Sequence, residues 1–235
     1  MADQGDGTAI VSVNRALYQQ PTDQRDIAFT FRVTATDLAL HSTTGDISVT
    51  GVKGEVRAET VSGDVNVSAT PNVAVAKTIS GDVTARDIGT QTTLVLSTVS
   101  GTVLGTGLRV RALEAGSVSG DVRLIGSEVE RLEAKSVSGN IEFDAPLTKG
   151  GRYEFTSHSG NVRIVLSGNT GFELDADTFS GSVRSDVPVT LRAMGRPEQG
   201  RDRQLSSRAI RGSFSDASAF LSIRSHSGSV VISKK

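Results

Sequence analysis

Two stretches decide the fold: Leu113-Glu-Ala-Gly-Ser-Val-Ser-Gly-Asp-Val122 and, nineteen residues on, Leu132-Glu-Ala-Lys-Ser-Val-Ser-Gly-Asn-Ile141. The ending of each, an apolar residue, Ser, Gly, a small polar residue and then Val or Ile, recurs along the chain. It reads Val61-Ser-Gly-Asp-Val65, Ile79-Ser-Gly-Asp-Val83 and Val99-Ser-Gly-Thr-Val103 before these two copies. It reads His158-Ser-Gly-Asn-Val162, Phe179-Ser-Gly-Ser-Val183 and His226-Ser-Gly-Ser-Val230 after them, with a degenerate first copy at Thr43-Thr-Gly-Asp-Ile47. The glycines Gly45, Gly63, Gly81, Gly101, Gly120, Gly139, Gly160, Gly181 and Gly228 are spaced by 18, 18, 20, 19, 19, 21, 21 and 47 residues.

Aligned on that glycine, apolar residues fill the positions two and four after it, such as Val65/Val67, Val122/Leu124 and Ile141/Phe143. They also fill the positions seven and five before it, such as Leu94/Leu96, Leu132/Ala134 and Tyr153/Phe155. Alternation of this kind marks half-buried strands. Each repeat therefore supplies two strands. The residue two before the glycine (Val61, Ile79, Val99, Val118, Val137, His158, Phe179, His226) is apolar or aromatic and is expected inward. This places a corner between the strands, at pairs such as Glu59-Thr60 and Lys135-Ser136. Like rungs stacked in parallel about 4.8 Å apart give an all-β, right-handed parallel β-solenoid of about nine rungs, 18–21 residues each, about 40 Å long. A propeller is the alternative, but a blade needs about 40 residues, and odd and even copies do not differ. Residues 1–36 are expected to form a polar tail and capping strand, with Ala28–Val33 as strand, and residues 37–235 the solenoid. The long gap holds an Arg-rich loop insertion at about 186–211.

The motif reads as backbone chemistry. A stacked glycine serves a bend that needs φ > 0 or close approach, and no Gly-x-x-x-x-Gly-Lys-Ser/Thr phosphate loop occurs. Two hydroxyl columns, Ser62 to Ser227 next to the glycine and Thr60, Thr78, Thr98, Ser117, Ser136, Ser157, Thr178 and Ser225 two residues earlier, are expected outward. They read as ladder hydrogen bonding, with a flat hydroxyl array for a glycan or another surface as the alternative. Asp46, Asp64, Asp82 and Asp121 follow the glycine, and Asn, Thr or Ser replaces them elsewhere, which fits turn capping better than Ca²⁺ ligation. Arg123, Glu142, Arg163 and Arg184 suggest an exposed charge ladder. His158 and His226 are expected inward, about 10 Å apart with Phe179 between them. Arg196, Arg201, Arg203 and Arg208 form the candidate partner-binding loop.

The 235 residues carry 25 basic and 26 acidic side chains, which argues against a mainly electrostatic nucleic-acid or membrane binder. With no Cys, thiolate metal sites, disulfides and a Cys nucleophile are excluded. No transmembrane segment occurs, since no run reaches 18 apolar residues. Aromatics make up 4% with no Trp, so the stacking platform of a glycan-cleaving site is hard to build. No catalytic residue, metal or cofactor is expected.

The Ser-Val-Ser-Gly-Asp-Val repeat, the stretch Ile47–Val65 and the closing rung Phe220–Ile232 resemble the bacterial adhesin β-strand-repeat family, whose function is unknown. The resemblance covers roughly residues 30–235. It implies a bacterial protein, exported or membrane-anchored, with no assigned catalytic residues. The expectation is a non-catalytic cell-envelope protein presenting a rigid surface to a cell-surface glycan or envelope protein. It is placed outside the cytoplasm with its signal missing from this sequence, and a cytoplasmic location is the alternative. A carbohydrate-active β-helix enzyme and an end-to-end filament are the competing functional readings.

Overall fold

The computed structural model describes residues 8–13, 37–191 and 209–235. All elements among them are strands, arranged in two sheets. The first sheet runs β1 (Thr8–Val13), β2 (Asp37–Thr44), β4 (Glu55–Ser62), β6 (Val73–Lys77), β8 (Gly89–Ser100), β10 (Arg109–Ser119), β12 (Glu128–Ser138), β14 (Arg152–Ser159), β20 (Ala219–Ser227), β16 (Phe172–Ser180), β19 (Ala209–Phe214) and β18 (Thr190–Leu191). The second runs β3 (Ile47–Thr50), β5 (Val65–Ser68), β7 (Val83–Arg86), β9 (Val103–Thr106), β11 (Val122–Ile125), β13 (Ile141–Pro146), β15 (Val162–Ser167), β21 (Val230–Lys234) and β17 (Val183–Ser185). Like strands pair in parallel, in register on the repeat: Val122 opposes Val103 and Ile141, and Leu132 opposes Leu113 and Tyr153. The chain is a parallel β-solenoid.

The core is the thin aliphatic slab between the sheets. Val65, Val83, Val103, Val122, Ile141, Val162 and Val230 are completely buried from one side, and Val56, Leu94, Leu96, Ala134 and Phe155 from the other. Gly105 takes the place of a large residue four after its glycine, and Leu108 and Leu124 close over it. Phe143 packs edge-on against Phe155 and tilted against Tyr153. The Tyr153 hydroxyl donates to the Val129 carbonyl at 2.6 Å and accepts the Thr148 N–H at 2.7 Å. In the longer rungs a second bend lies between Val110 and Leu113, where Arg111 and Ala112 both turn away from the core.

The expected corner is misplaced. Alternation runs on without a break through the position three before the glycine, so Thr60, Thr78, Thr98, Ser117, Ser136, Ser157, Thr178 and Ser225 are buried, each 7% exposed or less. The position two before the glycine therefore faces out: Val61, Ile79, Val99, Val118 and Val137 are 45–52% exposed and Phe179 is 69% exposed. The corner is the Ser-Gly pair itself.

The rung order also differs from the chain order. Seven rungs, β2/β3 through β14/β15, follow one another in sequence. The eighth is β20/β21, residues 219–234, which enters between β14/β15 and the ninth rung, β16/β17. Phe220–Ile232 thus closes the chain but not the stack. Beyond β16 the first sheet ends in antiparallel β19 and β18, and at its other end β1 lies against β2. Glu142 sits between Arg123 and Arg163 as expected, but Val231 separates Arg163 from Arg184, and Arg123 pairs with Asp121 at 2.8 Å in its own rung.

A candidate interaction edge along the Ser-Gly corner

Three hydrogen-bond ladders fix the corner. In every rung but the last the glycine N–H donates to the carbonyl of the Ser before the next rung's glycine, as in Gly63 to Ser80 at 2.9 Å and Gly120 to Ser138 at 3.0 Å. Six of the buried hydroxyls, those of Thr60, Thr78, Thr98, Ser117, Ser136 and Thr178, donate to the glycine carbonyl of the neighbouring rung, as in Thr78 to Gly63 and Thr98 to Gly81 at 2.9 Å and Ser117 to Gly101 at 3.0 Å. The residue after the glycine accepts the N–H of its counterpart one rung on: Asp46 from Asp64, Asp64 from Asp82, Asp82 from Thr102, Asp121 from Asn140, Asn140 from Asn161 and Asn161 from Ser229, at 2.7–3.0 Å. The carboxylates cap turns, and an amide serves as well because one acceptor oxygen suffices. The Asn140 N–H, with Arg123 adding to it, holds the Asp121 carboxyl below its ordinary value of 3.8.

The nine glycines line up in one column. A Cβ on Gly120 would overlap the Gly101 carbonyl, and φ there is +152°. Close approach and a positive φ thus make any other residue costly at Gly120. Among the described residues one hydroxyl of the buried column, Ser225 Oγ, has no hydrogen-bond partner. The Gly160 carbonyl that its place in the ladder would offer receives Ser157 at 3.3 Å instead.

Burial of these small hydroxyls hollows the edge of the rod. A groove results, floored by the hydroxyls, with the column four before the glycine, polar except at Gly116, along one side and the exposed apolar column along the other. It opens into a cavity of about 460 Å³ beside Glu59, Val61, Lys77 and Ile79, and one of about 670 Å³ beside Lys135, Val137, Asp177 and Arg224. The larger one carries a stack of rings. His226 lies 4.7 Å from His158 and 5.0 Å from Phe179, within 7° of parallel to both. The expectation of two inward histidines with Phe179 between them is corrected: the rings are outside, and the inserted rung puts His226 in the middle.

Sequence reasoning missed this edge because it assigned polar residues outward. The available signal was that the position three before the glycine is Ser or Thr in every rung, a restriction that implies one fixed acceptor. Among the described residues no three His, Asp or Glu side chains converge as metal ligands. Arg196, Arg201, Arg203 and Arg208 lie outside the described residues. Of that basic cluster Arg211 is described, and it binds Asp175 at 2.8 Å.

The family model for Toastrack DUF4097 matches residues 22–85 and 54–233. The chain belongs to that family. The two matches overlap over 54–85, as a repeat allows when it can be aligned in whole-rung steps. Toastrack DUF4097 is a domain family without a characterised activity, so it brings the β-solenoid and no functional residue to this chain. No curated protein and no solved structure shows a significant match.

Proposed function

We propose that this Toastrack chain is a non-catalytic, adhesin-like interaction protein of the cell envelope, working outside the cytoplasm. The apolar edge of its rod is the contact surface. The observation that carries this is the unbroken exposed column from Val61 to Val137, continued by the His158–His226–Phe179 stack. A contiguous apolar stripe on a soluble surface is what an interaction site presents, and a stacked solenoid holds it rigid because each rung is fixed by its neighbours. Aliphatic residues in rungs two to six suit a protein surface better than a sugar, which favours aromatic platforms.

Co-sedimentation with isolated envelope fractions and with purified peptidoglycan sacculi tests the proposal, comparing the wild type with a Val99→Asp/Val118→Asp double variant. Retention on envelopes that the double variant loses is expected. Equal retention of both proteins, or of neither, refutes it. Retention on bare sacculi assigns the edge to a glycan instead of a protein.

A further inference from the structure

We infer that the occupant of this edge is a second copy of the chain, docked antiparallel about a two-fold axis at the fifth rung. The inference rests on reading the stripe as a contact surface, and the distribution of charge along it carries the rest. In stacking order the residues four before the glycine are His41, Glu59, Lys77, Ser97, Gly116, Lys135, Thr156, Arg224 and Asp177. An antiparallel two-fold through Gly116 sets each residue of one copy against the residue equally far from the other end. Glu59 then faces Arg224 of the second copy, His41 faces Asp177, Lys77 faces Thr156 and Ser97 faces Lys135. Opposite charges meet near both ends of the contact, and like charges meet nowhere in this column.

Other registers lose this match. Sliding one rung one way brings Lys77 against Lys135. Sliding the other way brings Glu59 against Asp177 and Lys77 against Arg224. A parallel two-fold sets each rung against the same rung of the second copy, so Glu59 cannot meet Arg224, six rungs away. The match also depends on the inserted eighth rung. Were the rungs stacked in chain order, Asp177 and Arg224 would exchange places and Glu59 would meet a carboxylate. Of the carboxylates nearest the axis outside the column, Asp121 is already held by Arg123, and Glu114, two residues before Gly116 on the same exposed face of β10, meets its own copy across the axis with Lys135 beside it.

In the matched register the exposed column packs on itself, Val118 on Val118, Val99 on Val137 and Val61 on His226. The smallest possible residue, Gly116, lies beside the axis. An edge about 40 Å long and one side chain wide buries about half of the roughly 800 Å² per partner of a standard interface. The dimer is therefore weak and forms at high local concentration.

The chain has no cysteine, so single introduced cysteines report the geometry. Under mild oxidation at high concentration, Val118→Cys should form a disulfide dimer well above an Ile125→Cys control on the second sheet. Val61→Cys alone should not, but mixed with His226→Cys it should. Self-crosslinking of Val61→Cys would establish the parallel arrangement and overturn the inference, as would crosslinking no better than the control throughout. In sedimentation, Glu59→Arg should weaken self-association at least tenfold, and adding Arg224→Glu to the same chain should restore it. Failure of the second change to rescue also overturns it. Loss of envelope retention in the stripe variants without any self-crosslinking would leave the contact surface standing and remove the second copy as its occupant.

Discussion

Replacing Gly120 by Ala tests the physical basis of the rod. At φ +152° a side chain occupies backbone space that is almost reserved to glycine, at a cost of about 1–3 kcal/mol. The new methyl would also overlap the Gly101 carbonyl, which is backbone fixed in the ladder and cannot rotate away. Forced overpacking of this kind adds about 1–3 kcal/mol, for a sum of about 2–6 kcal/mol. Gly45 supplies an internal control. It ends the column, its φ is +119°, and a Cβ there would meet nothing within 4 Å. Gly45→Ala should show the conformational part alone. For a chain of this length each kcal/mol lowers Tm by about 2–4 °C, so Gly120→Ala should melt about 4–24 °C below wild type, and lower than Gly45→Ala. Circular-dichroism melts of the three proteins measure this. Equal losses at both positions, or none at Gly120, would show that close approach between rungs does not hold the corner.

The buried hydroxyls make a second contrast. Thr98→Val should cost about 1–2 kcal/mol by leaving the Gly81 carbonyl without its donor, whereas Ser225→Ala removes a group with no partner and should be neutral or stabilising in the same melts. Acid titration isolates the turn ladder. Because the folded carboxyl of Asp121 titrates below 3.8, its contribution is complete above that pH and is lost as pH falls through the lower folded value. Asp121→Asn keeps the acceptor for the Asn140 N–H but loses the ion pair with Arg123, so it should melt slightly below wild type near neutrality and lose less of its Tm between pH 4 and pH 2, a range set by the carboxylate pKa values involved.

The repeat period, both strands of each rung and the glycine column were legible because each follows from periodicity and from backbone demands that one residue type meets. The corner was not. Val118 looks like core and Ser117 like surface, yet Ser117 Oγ reaches the Gly101 carbonyl and is buried while Val118 stands exposed. Hydrogen bonding between rungs outweighs hydropathy here, and a hydropathy pattern records no hydrogen bonds between rungs. The rung order was hidden for a different reason. Ser159, Ser227 and Ser180 occupy equivalent places, so near-identical repeats carry no mark of which neighbour each will choose. Only the 47-residue gap hinted that the last copy departs from simple winding.

The interleaved eighth rung constrains how the molecule is assembled. Winding from the amino-terminal side can progress storey by storey as far as residue 167, since every platform needed is already made. Residues 172–185 then have a surface to settle on that is not their final one. Their lasting neighbour, residues 219–234, is synthesised later and must either arrive first at the seventh storey or prise the earlier arrival off it. Such a rod is finished by insertion instead of addition, and its most C-terminal strand pair is a keystone held on two sides.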